Sequence, residues 1–375
     1  MSLAVHWLDR IDAVPATDWN ALCGDDHPFV AHAFLNAIEA SDSLRSDLGW
    51  CAEHLTLWRD NRLVAAAPTY RKANSHGEFV FDFAFADAYE RSIGNYYPKR
   101  LVAVPYSPVT GPRLLASTDA DRRALVATLA TDTVSRGWSS AHVNFLRESE
   151  CDAFDEQWLP RCDWQFHWHN HGYRDFDDFL DALNAKKRKN IRQERARLLG
   201  NDWRFERRHG QELEAEHIDF LHRCYVLTFA DKGNTPSLTR DFFARICRDL
   251  PRQTLAVFAY RGDQLLASSF LLQSANVLYG RYWGGIENAP GLHFETCYYQ
   301  GIEHAIAQGL SVFEPGAQGE HKIARGFLPT RTHSRHFFAH PGFRNAIADY
   351  LKREARELDH YRDAVMRHSP YGVTA

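Results

Sequence analysis

One pattern occurs twice along the chain, and it limits the fold more than any other feature. In each half, two apolar runs flank a two-residue polar turn, Asp60-Asn61 in the first half and Gly262-Asp263 in the second. Such dipeptides favour the tight turn of a β-hairpin. A further strand is predicted after each hairpin, at 78–81 and at 277–283. The repeat therefore predicts two similar sheet-containing domains.

Each hairpin is also followed by a helical pattern that a glycine closes before another strand. These helices are predicted at 124–136 and 297–308, and Gly137 and Gly309 are the expected C-terminal caps. Upstream of the hairpins, further helices are predicted at 28–40 and 236–250. The order indicates an α/β (α+β) chain in which each domain has a mixed, mostly antiparallel sheet flanked by helices.

The two predicted domains cover residues 1–162 and 163–342, with the boundary between Pro160 and Gly172. The remaining segment, 343–375, is predicted to be an amphipathic helix and a tail, because its apolar residues recur at helical spacing.

Composition excludes several classes of protein. With 48 acidic and 44 basic residues, the chain has no overall charge that would attract nucleic acid or a membrane. Its seven cysteines are scattered without CxxC spacing, which is typical of a reduced, cytosolic protein. No signal peptide is evident, and no apolar run reaches the roughly 18 residues that a membrane span needs. We therefore predict a cytoplasmic protein without a membrane span.

The densest group of ionisable residues follows a short apolar run, 310–313, that is predicted to be a buried strand. A Gly-bearing loop at a strand end is a common place for a reactive site. The alternative is a solvated turn. The group consists of Glu314, Gln318, Glu320, His321, Lys322 and Arg325.

Two further segments of the second half are candidates for substrate binding. Arg281, Tyr282 and Trp283 stand between glycines at a strand end, and they either form a binding wall or belong to the sheet core. His293 and Glu295 are predicted to lie just before a helix, whose first N–H groups could bind an anion. Glu295 could equally cap that helix.

A basic helix is predicted at 185–199, where seven cations accompany a single acid. Leu180, Ile191 and Leu198 are expected to face the core on one stripe of this helix, and Arg188, Arg192 and Arg195 to form a cationic ridge. Arginine suits phosphate groups because it offers planar paired donors, although a solvated helix face is the alternative. The predicted phosphate-binding residues are Lys186, Arg188, Lys189 and Arg192.

Other catalytic signals are weak. His167, His169 and His171 alternate along a predicted strand, but a fourth zinc ligand is not evident, so no metal is predicted. The sequence contains no G-x-S-x-G, G-x-x-x-x-G-K-[ST] or G-x-G-x-x-G motif.

The repeated order of helices, hairpin, helix and strand resembles the GNAT acyltransferase fold in tandem. With the basic helix at 186–192, the chain is similar to Fem-like proteins of peptidoglycan biosynthesis or recognition. The segments 166–170, 292–299 and 314–322 resemble most the uncharacterised bacterial branch of Fem-like or GNAT N-acetyltransferases. The two predicted domains, 1–162 and 163–342, would then be GNAT-like, and the second would carry the main site.

The resemblance implies an acyl- or aminoacyltransferase without a tightly bound cofactor. Its partners would be an activated donor, either acyl-CoA or aminoacyl-tRNA, and an amine acceptor such as a cell-wall precursor. A clean copy of the CoA-binding Q/R-x-x-G-x-G/A loop is not found in either half. The donor, the acceptor and the oligomeric state therefore stay open.

The missing nucleophile motif favours direct attack of an amine on the activated acid. We expect Glu314 or His321 to be the base, and Lys322 and Arg281 to stabilise negative charge. Two alternatives are a protein that binds a cell-wall or nucleotide ligand without turnover, and a protein that only binds nucleic acid.

Overall fold

The structure is a computed structural model that describes residues 3–24, 26–287, 289–317 and 319–372. Contacts between Cα atoms divide the chain into two compact units. The first unit comprises the residues up to Trp164 together with Arg331–Tyr361, and the second comprises Gln165–Thr330 together with the residues from Arg362 onwards. The predicted domain limits at 162 and 342 stay predictions.

In the described ranges, the first unit contains four complete α-helices, eight complete strands and the beginning of a ninth. Its helices are α1 (Ala16–Cys23), α2 (His32–Ala40), α3 (Phe83–Ser92) and α4 (Asp119–Ser135). Its strands are β1 (Ala4–Leu8), β2 (Trp50–Ala52), β3 (His54–Arg59), β4 (Arg62–Ala67), β5 (Thr69–Lys72), β6 (Lys99–Val102), β7 (Leu115–Ala116), β8 (Ser140–Leu146) and the beginning of β9 (Trp158–His169).

The second unit follows the same plan with longer strands. Its helices are α5 (Phe176–Ala182), α6 (Ala185–Leu199), α7 (Ala215–Asp231), α8 (Arg240–Asp249), α9 (Leu292–Phe294) and α10 (Gln300–Ala307). Its strands are β10 (Trp203–His209), β11 (Thr254–Arg261), β12 (Gln264–Gln273), β13 (Val277–Gly285) and β14 (Val312–Glu314). Three elements extend through the limits between the units, namely β9, β15 (Leu328–Phe338) and α11 (Pro341–Met366).

Pairing within the first unit is mostly antiparallel. Strands β1, β3, β4 and β7 form one sheet in that order, and β8 is hydrogen-bonded to β15 on one side and to β6 in parallel on the other. The hairpin of β3 and β4 turns at Asp60 and Asn61, whose φ angles of 51° and 60° match a type I′ turn. The predicted first hairpin is therefore confirmed.

Within the second unit the strand order is β10, β11, β12, β13, β14 and β9, and only β13 and β14 are parallel. Helix α10 packs closely on this sheet, because a Cβ atom at Gly301 would lie 2.5 Å from the ring of Phe313. The core between helix and sheet includes Ile302, Phe313 and Phe179, all fully buried.

Mixed, mostly antiparallel sheets flanked by helices confirm the predicted fold class, and the helices predicted before Gly137 and Gly309 also occur. The predicted tail helix is α11. Among the described residues, no helix combines the length and the apolar character that a membrane crossing needs.

Two local predictions were wrong. Residues 78–81 form no strand, because the flanking carboxylates of Glu78 and Asp82 both turn inward to Lys99, and Phe79 takes a left-handed φ of 61°. Leu180 is buried as predicted, but it belongs to α5 and not to α6. The two helices are separate because α6 starts after Asn184, whose side chain caps its N-terminus.

Candidate functional site

The site begins where strands β13 and β14 part. The two strands pair through only three residue pairs, the last of which joins Tyr279 to Glu314. Beyond this point β13 continues to Gly285 beside β12, whereas the chain after Glu314 turns away at Pro315. A bulge in β13 falls at Arg281, between the pairs that Gly280 and Tyr282 make with β12. Such a bulge bends the strand and re-aims the side chains around it.

The helix after β13 contains a π-helical turn. It starts at Leu292, passes through a π turn at Glu295–Tyr299 and continues as α10, with the Gln300 N–H donating to the Glu295 carbonyl. His293 and Glu295 therefore lie inside the helix, and their predicted place just before it was wrong. Turns of this kind occur often at functional sites. Here the turn brings the rings of His293 and Tyr298, five residues apart, to 5.3 Å.

An imidazole and a phenol meet beside this turn. His321 is exposed on the 3-10 turn Glu320–Arg325, and its Nε2 lies 2.9 Å from the Tyr298 hydroxyl. Partial burial lowers the pKa of His321, and the cations Lys322 and Arg325 lower it further. Burial raises the pKa of Tyr298, so its hydroxyl keeps the proton. At neutral pH the imidazole is therefore neutral and can accept a proton.

Lys322 is a buried ammonium with an unusual environment. Its side chain donates to the Gly316 carbonyl at 2.6 Å, and no carboxylate pairs with it among the residues that the structure describes. Burial lowers its pKa to about 8. Lysine is rarely buried without an acidic partner, because removing the charge from water is costly. Such an ammonium is a candidate for binding negative charge.

Arg325 connects several parts of this region. Its guanidinium lies 3.3 Å above the Phe294 ring, donates to the His321 carbonyl at 2.9 Å and donates to Glu194 at 2.8 Å. Both terminal nitrogens thus have protein partners, and the predicted role of Arg325 in substrate binding stays a prediction.

Glu295 is a buried carboxylate whose partners are side chains of the protein. Its carboxylate is 3% exposed and accepts two hydrogen bonds from Arg195, at 3.0 and 2.8 Å, and one from Gln300. Arg195 also stacks on Phe176, 4.4 Å from the ring centroid. The predicted ridge was therefore wrong in one member, because Arg195 turns inward to this ion pair while Arg188 and Arg192 face outward.

The predicted binding wall divides between two sides of β13. Trp283 contacts His293 edge-to-face at 5.3 Å, whereas Tyr282 packs against Tyr225 of α7 at 4.9 Å. Successive side chains of a strand point to opposite faces, so only one of the two rings belongs to the site. Burial, followed by the nearby His321 and Arg325, lowers the pKa of His293 to about 4.

The other predicted residues lie in the segment 314–320 and on helix α6. Glu314 is buried at the end of β14, Glu320 is exposed, and Gln318 lies outside the described residues. Lys186 and Lys189 are exposed on α6, and aspartates of α5 bind Arg188 at 2.7 Å and Arg192 at 3.2 Å. This face of α6 borders a space of about 380 Å³, lined by Ala185, Arg188, Lys189, Arg192, Gln193 and Ala196.

One group of side chains in the described ranges has the spacing of a metal site, namely Glu214, Glu216 and His217. Both nitrogens of His217 are already engaged, Nδ1 with the Glu214 N–H and Nε2 with Arg208. The three histidines predicted on β9 do not converge, since His167 contacts Gln165 and His169 contacts Thr330, while His171 lies beyond the strand end.

Sequence reasoning missed Tyr298, Tyr299 and Glu194. The π turn that places the tyrosines has no signature in a single sequence. One feature of the sequence could have indicated Glu194, namely that it is the single acid among the seven cations of α6.

The chain belongs to the FemAB_like family, described as peptidoglycan biosynthesis/recognition, whose model matches residues 10–373. No curated protein sequence matches the chain.

Three solved structures have a similar fold. The C-terminal domain of a candidate lysylphosphatidylglycerol synthetase from Agrobacterium fabrum has a TM-score of 0.54 at 11% identity, covering 90% of this chain and 95% of that one. FemX has a TM-score of 0.52 at 10% identity, covering 90% and 97%. A conserved protein of unknown function from Bacteroides thetaiotaomicron VPI-5482 has a TM-score of 0.50 at 11% identity, covering 89% and 99%. At such identities the likeness concerns the fold alone.

Proposed function

We propose that the second unit transfers an acyl or aminoacyl group from an activated donor to an amine, by direct attack and without a covalent enzyme intermediate. One observation carries the proposal: Lys322, a buried ammonium to which no carboxylate of the described residues is bonded, follows directly after an exposed, neutral imidazole, His321. The first group suits a developing oxyanion, and the second suits the proton that an attacking amine must lose.

In the proposed reaction the amine nitrogen attacks the carbonyl carbon of the donor. A C–N bond forms and the C–O or C–S bond to the leaving group breaks. His321 accepts the proton of the amine and passes it to the departing oxygen or sulfur, which leaves as an alcohol or a thiol. Lys322 stabilises the carbonyl oxygen while it carries negative charge. We favour His321 over Glu314 as the base because His321 is exposed, whereas Glu314 is 7% exposed.

The family description and the names of similar structures support the substrate class. The description, peptidoglycan biosynthesis/recognition, favours an amine of a cell-wall precursor as the acceptor. The name of the Agrobacterium protein denotes the joining of lysine to a lipid, which is an aminoacyl transfer. We propose acyl-CoA or aminoacyl-tRNA as the donor, with its phosphates on the outward cations of α6, Lys186, Arg188, Lys189 and Arg192.

The test incubates the purified full chain with acetyl-CoA or aminoacyl-tRNA and with amine-bearing muropeptides, and measures the mass of the acceptor. We expect a mass gain equal to the transferred group, and a loss of at least about a hundredfold in rate for His321→Ala. His360→Ala, which changes an exposed histidine of α11, is the control and should keep the full rate. Acceptor binding without any mass gain would instead identify a binding module on the same fold.

A further inference from the structure

We infer that Glu194 is a positioning residue that holds the His321–Tyr298 pair together, an inference that rests on the proposed function. Its carboxylate is the point at which α6 contacts both chain segments that carry the pair. Among the described residues, Glu194 forms hydrogen bonds with Tyr299 and Arg325 and none with His321 or the Tyr298 hydroxyl, so it would act through its neighbours.

One arm of this arrangement leads to His321. The Oε1 atom of Glu194 accepts a hydrogen bond from Arg325 at 2.8 Å, and the other terminal nitrogen of Arg325 donates to the His321 carbonyl at 2.9 Å. The guanidinium is further fixed by the Phe294 ring, 3.3 Å away. A planar guanidinium with two engaged nitrogens has little freedom, so it fixes the backbone position of His321.

The other arm leads to Tyr298. The Oε2 atom of Glu194 accepts a hydrogen bond from the Tyr299 hydroxyl at 2.5 Å. Burial raises the pKa of Tyr299, so this hydroxyl keeps its proton and acts as the donor. Because Tyr299 is the last residue of the π turn and follows Tyr298 directly, the bond fixes the turn that places Tyr298.

Helix α6 is held against the rest of the second unit by residues on either side of Glu194. Ile191 and Leu198 are buried, and Arg195 binds Glu295 and Glu303. The helix also lies against Gly291, where an added Cβ atom would come within 3.9 Å of the Cβ of Glu194. The carboxylate therefore projects from a fixed backbone and does not depend on the outward cations of α6.

Loss of this carboxylate should misplace the pair without touching the donor. In Glu194→Gln an amide nitrogen replaces one carboxylate oxygen, so the Arg325 nitrogen and the Tyr299 hydroxyl cannot both keep an acceptor on this side chain. A buried donor without a partner favours rearrangement. Small displacements of reacting groups cost rate strongly, up to about a hundredfold for 1 Å. The donor phosphates proposed to bind α6 are held by other side chains, so the effect should appear in kcat and not in the KM of the donor.

The test compares Glu194→Gln and Tyr299→Phe with the control Glu303→Gln, which changes another acid bound to α6. Within the described residues Glu303 has no hydrogen bond to Arg325 or Tyr299, and Arg195 keeps its two bonds to Glu295 when Glu303 is changed. We expect kcat to fall at least about tenfold in Glu194→Gln and less in Tyr299→Phe, with the donor KM within about twofold of the wild type. The control should match the wild type in both constants. Unchanged kcat in Glu194→Gln, or a loss confined to KM, would overturn the inference.

A second readout does not require turnover. Long-range ¹H–¹⁵N spectra of the imidazoles report which ring nitrogen of His321 is protonated, and the bond to Tyr298 should favour one tautomer in the wild type and in Glu303→Gln. We expect averaged tautomers in Glu194→Gln. If the wild type transfers no group but its tautomer changes in Glu194→Gln, the proposed function fails while the positioning role stands. An unchanged tautomer in a folded variant refutes that role.

Discussion

Three lysines are buried in the described residues, Lys72 and Lys99 in the first unit and Lys322 in the second. Lys72 donates to the His76 carbonyl at 3.1 Å and lies over the Trp50 ring. Lys99 and Lys322 have opposite surroundings. In the first unit, Lys99 is fully buried and donates to Glu78 at 2.9 Å, Asp82 at 2.6 Å and Ser75 at 2.9 Å. In the second unit, Lys322 donates to one carbonyl and has no carboxylate partner within the described ranges. A buried charge whose partners are all supplied by the protein serves the fold, whereas a buried charge without such a partner is available to a ligand.

The helices that follow the hairpins differ in the same sense. Helix α4 starts after Thr118, whose hydroxyl accepts the Asp121 N–H, and Asp119 and Asp121 place negative charge in its first turn. The helix that starts at Leu292 follows Gly291, which offers no side-chain cap, and its first three residues include no acid. At these two places the first unit supplies side-chain partners, whereas the described residues of the second unit supply backbone carbonyls.

The largest expected effect is on stability, in the first unit. Replacing Lys99 by Met would leave Glu78 and Asp82 buried without their cation, so we expect the free energy of unfolding to fall by about 3–5 kcal/mol. Denaturant unfolding of the full chain measures this, with the exposed Lys189→Met as control. A fall below about 1 kcal/mol would show that the cluster does not hold the first unit together.

The matching change in the second unit should affect activity instead. Lys322→Met removes a buried charge that has no carboxylate partner among the described residues, so the free energy of unfolding should stay the same or rise. Transfer should slow by about a hundred- to a thousandfold, the range seen when one group that stabilises an oxyanion is lost. The mass assay and the unfolding curve are measured on one preparation, beside Lys352→Met, which changes an exposed lysine of α11. A loss of stability like that of Lys99→Met would erase the contrast between the units.

The third effect concerns the pH dependence of the rate. Burial lowers the pKa of Lys322 to about 8, so its positive charge, and the stabilisation proposed to depend on it, decline as pH rises through 8. We expect the transfer rate to fall about tenfold per pH unit above that point. The residual activity of Lys322→Met should lack this decline. A rate that is constant to pH 10 would remove Lys322 from the proposed mechanism.

The parts of this comparison that could be predicted from sequence are those set by local chemistry. The turn dipeptides Asp60-Asn61 and Gly262-Asp263 correctly predicted the two hairpins. Gly137 and Gly309, which have left-handed φ angles, correctly predicted the ends of two helices. The segment Glu314 to Arg325 was recognised because ionisable residues crowd a turn. Each of these signals lies within a few residues of the feature that it determines.

The missing parts depend on residues far apart in the chain. The ion pairs of Lys99 with Glu78 and Asp82 were not predicted, because the segment 78–81 was expected to be a strand. Both carboxylates reach Lys99 only because this segment is not a strand. Glu194 meets Arg325 across 131 positions, and Tyr298 meets His321 through a π turn that no periodicity reveals. The carboxylate partners that distinguish Lys99 from Lys322 cannot be read from the sequence around either lysine.

The smallest expected effect concerns Glu78, whose Oε1 accepts no hydrogen bond in the described part of the chain. Burial raises the pKa of Glu78 to about 7. A carboxyl whose pKa is higher in the folded than in the unfolded chain contributes stability below the unfolded value, near 4.5, and loses it as pH rises through 7. Lys72, whose pKa burial lowers to about 7, acts in the opposite sense but only above pH 7.

Between pH 5 and 7 the wild type should therefore lose on the order of 1 kcal/mol of unfolding free energy that Glu78→Gln does not lose. Asp82, whose pKa lies below its usual range, titrates below this window and leaves the comparison intact. Unfolding curves at pH 5, 6 and 7 for both proteins measure the difference. If the unfolding free energies of both proteins depend on pH in the same way, Glu78 is ionised throughout this range and fully paired with Lys99. The contrast between Lys99 and Lys322 would then be sharper, because both carboxylates around Lys99 would be charged partners.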